Sequence, residues 1–154
     1  MRVIFDTREK HPWAFPPGVE MRPGTLKQGD YALEGDNTFS VERKSAQDFR
    51  NTVTGAWDRF VRELRRMDDV GNPQKIIIVE GDMSAYLFKE TDAGLQDPEC
   101  DCDPVFLMAR IAELTLVYRT AVLFARDEGS AAALAYHIFC KRLCQLSGKA
   151  GGVK

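Results

Sequence analysis

Residues 75–81, Lys75-Ile76-Ile77-Ile78-Val79-Glu80-Gly81, place four aliphatic β-branched side chains in succession. Such a run predicts a central strand that is covered on both faces of its sheet, because a half-exposed strand alternates apolar with polar residues. Before it, apolar residues recur at helical spacing between Trp57 and Met67, which predicts an amphipathic helix with arginines on its outer faces. A helix followed by a buried strand is typical of an α/β fold.

The N-terminal third of the chain indicates short strands joined by turns. Val3-Ile4-Phe5 predicts a buried strand that ends at Asp6. Turn signals recur between residues 19 and 44 and separate short apolar or aromatic segments, which predicts a meander of antiparallel strands. Ser45 is a suitable N-cap for a short helix over 46–51.

Helices and strands alternate in the rest of the chain. The predicted elements are a short helix over 82–88, a helix over 106–117, a strand over 121–125 and a long helix over 130–146. Residues 89–103 are rich in Gly, Pro and Asp and are expected to form the one long loop. The sequence therefore predicts a single α/β domain over 1–147, a sheet flanked by helices, followed by a flexible tail over 148–154.

The composition is that of an ordinary globular domain. Of the 154 residues, 44% are hydrophobic and 29% are charged, which excludes disordered and fibrous chains. No apolar run approaches the roughly 18 residues that span a membrane, and the charged second residue is unlike a signal peptide. We therefore expect a cytoplasmic protein without membrane contact, whose four cysteines stay reduced.

The charge is unevenly distributed, although the net charge is only -2. Basic residues outnumber acidic ones between 43 and 66, and acidic residues dominate between 80 and 103. A polyanion such as nucleic acid could bind the first segment and would avoid the second. Two solvated surfaces explain the same pattern, so charge alone leaves both interpretations open.

The side chains with the most informative chemistry form one constellation, in the order Gly29-Asp30, Glu42-Arg43-Lys44 and Asp48. Side chains alternate along a strand, so Glu42 and Lys44 share a face. If Asp30 lies on the neighbouring strand, its carboxylate, that of Glu42 and the Arg43 carbonyl can converge on one Mg²⁺ ion. Such an ion binds a scissile phosphate and lowers the pKa of its water, beside which Lys44 would lie.

An isolated acid-x-Lys triplet would be explained equally well by weak ion pairs on the solvated face of a hairpin. The constellation is longer than a triplet, because Asp6-Thr7-Arg8-Glu9 follows the first predicted strand and Asp48 comes at helical spacing. The combined order favours a metal-dependent site.

These residues resemble the XPF-type structure-specific endonuclease domain, a branch of the restriction-endonuclease-like superfamily. The family motif is Gly-Asp, a variable gap, Glu-Arg-Lys, three residues and Asp, and the constellation matches it throughout. Residues 4–9 are similar to the family's first strand, 75–81 to its central strand and 57–67 to the helix after the motif. The resemblance implies a restriction-endonuclease-like core with a mixed β-sheet flanked by α-helices.

The resemblance also implies an activity. It is the metal-dependent hydrolysis of a phosphodiester bond in branched or flapped DNA, near a junction between duplex and single strand, in repair, recombination or replication. Asp30 and Glu42 would bind Mg²⁺ or Mn²⁺, Asp6 would be a further metal-binding carboxylate, and Lys44 would position the attacking water.

Four more positions of the motif would support the site. Arg43 could reach a phosphate, Asp48 could hold Lys44 or Arg43 in place, and Arg8 and Glu9 would be further supporting positions. The predicted helix after the motif adds candidate DNA-binding arginines: Arg59, Arg62, Arg65 and Arg66.

Relatives of this family carry helix-hairpin-helix or helicase regions, and neither is found in this sequence. We therefore expect a stand-alone nuclease that resembles the compact bacterial and phage versions. Nuclease domains of the family dimerise, and residues 131–146 of the predicted last helix are apolar on more than one face, which fits a homodimer or another partner. A two-sided core contact within one chain explains that helix nearly as well.

Two other functions stay open at this point. One is a non-catalytic DNA-binding module or dimer partner with the same fold, against which the intact Asp30, Glu42 and Lys44 argue. The other is a nuclease that acts on plain duplex DNA or on RNA.

Three further sets of residues have competing interpretations. The cysteines at 100, 102, 140 and 144 could bind zinc, but their spacing differs from the usual pairs, and the last two suit a buried helix face. His11 and His137 have no visible partner and favour loop or packing roles. Trp13 and Phe15 could stack on unpaired bases, although such residues more often fill a core.

Overall fold

The predicted central strand is the fifth of six strands in one sheet. The structure, a computed structural model, describes residues 1–69, 74–88 and 103–148. The strands are β1 (Arg2–Asp6), β2 (Glu20–Gly24), β3 (Tyr31–Leu33), β4 (Phe39–Ser45), β5 (Gln74–Glu80) and β6 (Thr120–Ala125). The helices are α1 (Ala46–Thr54), α2 (Trp57–Asp69), α3 (Met83–Phe88), α4 (Pro104–Leu116) and α5 (Glu128–Leu146).

The sheet is mixed, with the strand order β2-β1-β3-β4-β5-β6. Strands β4, β5 and β6 are parallel, and β3 runs antiparallel to both β1 and β4. The predicted fold class, a mixed sheet flanked by helices, is confirmed. The predicted antiparallel meander over 19–44 is wrong for β2, which pairs in parallel with β1 at the sheet edge. The segment between β1 and β2 is long enough for the crossover that parallel strands need.

Alternation along β5 builds a core on each face of the sheet. Ile78 packs with Val41 and with Phe139 of α5 in one core, whereas Ile77 and Val79 lie in a second core beneath α1, α2 and α4. These three β5 side chains are all buried. The prediction of a strand covered on both faces is therefore confirmed.

Two helix starts follow from side-chain caps. The Ser45 hydroxyl accepts the Asp48 N–H at 3.0 Å and starts α1, as predicted. The Asp127 carboxylate accepts the Ser130 N–H at 2.8 Å at the start of α5. The described helices include none that is both long and apolar enough to cross a membrane.

Two predicted segments are not covered by the structure. The predicted loop over 89–103 falls outside the described residues except for Asp103, and so does the predicted tail beyond residue 148.

Candidate active site

The motif pair Gly29-Asp30 lies at the start of β3, against the middle of β4. The Asp30 N–H donates to the Val41 carbonyl at 2.9 Å, and the Asp30 carboxylate accepts the Arg43 N–H at 2.8 Å. Gly29 has φ +68°, and a Cβ there would lie 2.8 Å from the Cβ of Ser40. Glycine is therefore required for the close approach that brings Asp30 onto β4.

Glu42 and Lys44 point to the same face of β4, as their spacing predicts. The Lys44 ammonium lies 3.1 Å from the Glu42 carboxylate and 5.8 Å from the ring centroid of Phe60. The Lys44 side chain is 17% exposed and that of Glu42 is 33% exposed. A carboxylate and an ammonium group thus stand together in a partly sheltered position beside Asp30.

Asp30 and Glu42 line a cleft of about 720 Å³ between β4, α2 and the loop that precedes β3. Its lining includes three exposed cationic residues, Arg8, Lys27 and Arg66, and the buried Lys75. Glu63 adds one acid, and Phe60, Leu64 and Met67 form an apolar wall on α2. The cleft therefore offers carboxylates, cations and apolar surface within one cavity.

The electrostatics of the carboxylate pair favour a cation. Burial and, second to it, the neighbouring Glu42 carboxylate raise the pKa of Asp30 to about 6, against the smaller opposing effects of the Arg43 amide and the Lys44 ammonium. A divalent cation would offset this cost. Within the described residues, no group of three or more His, Cys, Asp or Glu side chains forms a metal site. Mg²⁺ commonly takes one or two carboxylates and keeps several waters, so the Asp30 and Glu42 pair fits it.

Asp6 occupies a different position from the one expected of a metal ligand. Its side chain is 1% exposed, and its carboxylate accepts the Arg8 Nε–H at 2.6 Å, the Arg8 N–H at 2.9 Å and the Leu26 N–H at 2.9 Å. The Arg8 guanidinium is the main cause that lowers the pKa of Asp6 to about 2. The structure corrects the expectation for Asp6: this carboxylate holds Arg8 at the cleft instead of lining the cleft itself.

Arg43 points to the opposite face of β4, which corrects the expectation that it reaches a phosphate. Its Nε lies 2.8 Å from one oxygen of Glu80, and its Nη2 donates to the other at 3.1 Å. The guanidinium also stands 5.4 Å from the ring centroid of Trp13, and its side chain is only 14% exposed. Because strand neighbours alternate, Arg43 cannot share a face of β4 with Glu42 and Lys44.

Trp13 belongs to the core behind the site. It stacks on Tyr31 at 4.4 Å between ring centroids, donates its indole N–H to Glu80 at 2.6 Å and is 2% exposed. Phe15 packs edge-on against both rings. The core role is therefore confirmed for Trp13, whose burial does not fit base stacking, and Phe15 is a partly buried residue that packs against the same core.

Two supporting residues lie near the site without entering the cleft. The Asp48 carboxylate accepts the Ser45 hydroxyl at 2.8 Å at the start of α1, which corrects its expected contact with Lys44 or Arg43. Glu9 lies 3.7 Å from the Arg43 guanidinium and contributes to the raised pKa of Asp30.

The four predicted arginines of α2 separate into two groups. All four are exposed, but Arg66 alone among them lines the cleft. Sequence reasoning missed Lys27, which also lines the cleft. The only signal for Lys27 was its place two residues before Gly29-Asp30.

The other candidate ligands lie away from this cleft. Cys140 and Cys144 are half-buried free thiols on α5, and Cys100 and Cys102 fall outside the described residues. The His11 carbonyl accepts a hydrogen bond from Arg43 at 2.5 Å, and His137 lines a separate cavity beside α5.

The raised pKa of Asp30 predicts a pH-dependent stability. Its value is about 6 in the fold and about 3.9 in an unfolded chain, so the folded state binds the proton more tightly between these values. The free energy of unfolding therefore falls as the pH rises from 4 to 6. Asp30→Asn removes this pH-dependent loss of stability, because an amide does not ionise. Its amide oxygen can still accept the Arg43 N–H.

In EDTA, we expect Asp30→Asn to be more stable than the native chain at pH 7.5 by on the order of 2 kcal/mol. The advantage should shrink towards pH 4. Urea unfolding of both proteins at the two pH values measures the difference. An equal stability at both pH values would contradict the raised pKa.

The mixed six-stranded sheet flanked by helices defines the protein as an α/β domain, and Asp30, Glu42 and Lys44 form its candidate active site. The ERCC4 domain family matches residues 5–138, which is most of the chain. The protein therefore belongs to the ERCC4 domain family.

Solved structures agree with this assignment. XPF from Aeropyrum pernix is similar with a TM-score of 0.66 and 23% identity, over 89% of this chain and 64% of that one. The same protein in complex with DNA has a TM-score of 0.65 and 25% identity, over 99% of this chain and 68% of that one. The chain thus matches about two thirds of the length of these structures. No curated protein matches it.

Proposed function

We propose that this domain is a metal-dependent endonuclease that hydrolyses phosphodiester bonds in branched or flapped DNA, near junctions of duplex and single strand. The observation that carries the proposal is that Asp30 and Glu42 line one cleft and that the Lys44 ammonium lies 3.1 Å from the Glu42 carboxylate. Membership of the ERCC4 domain family supports the chemistry. The DNA complex of XPF from Aeropyrum pernix supports DNA as the substrate.

Each residue has a distinct part in the proposed reaction. Asp30 and Glu42 would hold Mg²⁺ or Mn²⁺, which supplies Lewis-acid stabilisation of the phosphate and a water of lowered pKa. The Lys44 ammonium lies 3.1 Å from Glu42, and from there it would orient the attacking water and offset the developing negative charge. Arg8 is 76% exposed and anchored through Nε, which leaves its terminal nitrogens available for a phosphate.

A gel assay on labelled DNA tests the proposal. The substrates are a 3′-flap, a replication fork and a plain duplex, each with Mg²⁺, Mn²⁺ or EDTA. Metal-dependent cuts near the junction support the proposal, whereas equal cutting of all three would keep the chemistry and remove the structure specificity. Binding to the branched DNA without cleavage under any metal would favour the non-catalytic module.

The proposal includes a homodimer that acts in repair, recombination or replication. Strand β6 ends the sheet, and the two helices that contact it, α4 and α5, carry exposed apolar side chains. These are Val105, Phe106, Met108, Leu116, Leu143 and Leu146. Exposed apolar patches beside an open sheet edge are typical of protein interfaces.

Light scattering at low micromolar concentration measures the association. We expect a mass of twice the chain, because pairing would cover these side chains. Detection of the monomer alone would contradict the homodimer and leave the proposed chemistry intact.

A further inference from the structure

A second cavity, of about 500 Å³, lies between α5 and the face of the sheet that α5 covers. Its lining on the sheet includes Ile76 of β5 and Ala121 of β6, which are register partners and therefore lie side by side on one face. Ile138 of α5 also lines the cavity. These three residues are only partly buried, so the cavity offers apolar surface to a ligand.

One face of α5 adds polar and cationic side chains to the lining. His137, Lys141 and Gln145 follow one another at one-turn spacing, and all three are exposed. Arg142 lines the cavity as well, but the Asp36 carboxylate pairs with its guanidinium at 2.7 Å. Among the described residues, no Asp or Glu lines this cavity. The lining therefore carries a net positive charge.

Arg119 belongs to the same lining and has an uncommon backbone conformation. It lies in the turn between α4 and β6 with φ +50°, and within the described ranges it is the one non-glycine residue with a positive φ. This conformation costs an arginine free energy that glycine or asparagine largely avoids. Strained residues of this kind are concentrated at ligand-binding and active sites. The strain indicates that the Arg119 side chain has a role that the turn itself does not require.

Arg119 and Lys141 are the cations of this cavity that are open to a ligand. Both are exposed, and neither side chain forms an ion pair or hydrogen bond with another described residue. A guanidinium group donates two parallel N–H groups to one phosphate, and an ammonium group adds a compact positive charge. The pair therefore suits a phosphate.

The apolar floor and the two cations together complement a phosphate that is joined to a ring. A cavity of about 500 Å³ is in the range of small-ligand sites. We propose that it binds a phosphate ester of the size of one nucleotide. The ring would pack on Ile76, Ala121 and Ile138, and the phosphate would bind Arg119 and Lys141.

This cavity is distinct from the cleft of the candidate active site. The cleft lies against α2 and the cavity lies against α5, although Lys75 and Ile76 at the start of β5 line both. Arg119 and Lys141 line the cavity alone. The proposal therefore goes beyond the endonuclease function, and each can fail without the other.

Calorimetric titration of the full chain in EDTA tests the proposal. The ligands are AMP, dTMP, adenosine and inorganic phosphate, and EDTA prevents a divalent cation from drawing nucleotides to the carboxylates of the cleft. We expect one of the nucleotides to bind at least about tenfold more tightly than adenosine or inorganic phosphate, because each of these makes only part of the contacts. Failure of both nucleotides to bind would overturn the proposal. Equal binding of nucleotide and inorganic phosphate would overturn it too, since such a site needs no ring.

Arg119→Asn separates ligand binding from the stability of the turn. Asparagine tolerates a positive φ, so we expect the variant to unfold in urea at the native midpoint or above it, while nucleotide affinity falls about tenfold. Lys141→Gln should also weaken nucleotide binding. A lower unfolding midpoint of Arg119→Asn would show that Arg119 serves the fold and would contradict the proposal.

Two other arginines test where the nucleotide binds. Arg126→Gln is the matched control, because Arg126 flanks the other end of β6, is 85% exposed and lies outside the cavity. It should keep the native nucleotide affinity, and a loss equal to that of Arg119→Asn would overturn the assignment. Arg66→Gln reports on the cleft instead. Loss of nucleotide binding in Arg66→Gln but not in Arg119→Asn would place the ligand in the cleft and overturn the proposal.

Discussion

Glu42→Gln is expected to lower the rate of flap cleavage about a thousandfold, while the protein remains folded. The substitution keeps the size of the side chain and removes the charge that, with Asp30, would hold the divalent cation. Loss of the ion removes several kcal/mol of transition-state stabilisation, which corresponds to about this factor in rate. Single-turnover cleavage of a labelled 3′-flap in saturating Mg²⁺ measures the effect.

Two further variants test whether the loss of cleavage is specific to Glu42. Glu34→Gln changes an exposed carboxylate that follows β3, at the opposite end from Asp30, and should cleave at the native rate. Lys44→Ala should lose less than Glu42→Gln, and the loss should appear in the cleavage rate more than in DNA affinity. Native turnover by Glu42→Gln would place the reaction at another site.

Strand alternation explains how much of this site could be predicted. The spacing places Glu42 and Lys44 on one face, and the structure brings them to 3.1 Å. Gly29 has a positive φ and a close approach to Ser40, so the Gly-Asp pair has a physical reason that a sequence pattern alone does not display. The shared face of Glu42 and Lys44 therefore follows from a local rule, whereas the position of Asp30 depends on the pairing of β3 with β4.

The same rule should have separated Arg43 from its neighbours. A residue between two cleft residues in a strand must face the other way, and Arg43 does so. Its partners Glu80 and Trp13 are distant in sequence, and contacts of that range depend on the strand order. The position of Asp6 was missed for a similar reason, because the Leu26 N–H that it accepts belongs to a loop without a sequence signal.

In the fold, too, the features set by neighbouring residues were predicted, and those set by contacts between distant residues were not. Caps and apolar spacing predicted the helices, and the aliphatic run predicted β5 with its two buried faces. The edge position of β2 depends on a crossover between β1 and β2, and turn residues do not reveal whether the next strand pairs in parallel or antiparallel. Short strands with few apolar residues are therefore the part that sequence rules leave undecided.

Arg43→Ala is expected to destabilise the fold by about 3 kcal/mol, with little direct effect on DNA contacts. Arg43 and Glu80 form two hydrogen-bonded contacts, at 2.8 and 3.1 Å, and their side chains are only 14% and 19% exposed. Removing the guanidinium leaves the Glu80 carboxylate in this sheltered position with the Trp13 indole as its remaining close donor. An uncompensated charge at such a place costs several kcal/mol. Urea unfolding at pH 7 measures the loss.

A double substitution tests whether Arg43 stabilises the fold through its ion pair with Glu80 or binds a DNA phosphate. Arg43→Met with Glu80→Gln removes both charges, so the double variant should recover part of the stability that Arg43→Ala loses. Arg2→Ala is the control, because its pairs with Glu20 and Glu34 are half-exposed and should contribute less than about 1 kcal/mol. If Arg43 instead contacted a phosphate, Arg43→Ala would leave the stability near native. It would then reduce the salt dependence of DNA binding by about one ion. The burial of Arg43 behind β4 favours the first result, since its guanidinium and the cleft lie on opposite faces of the strand.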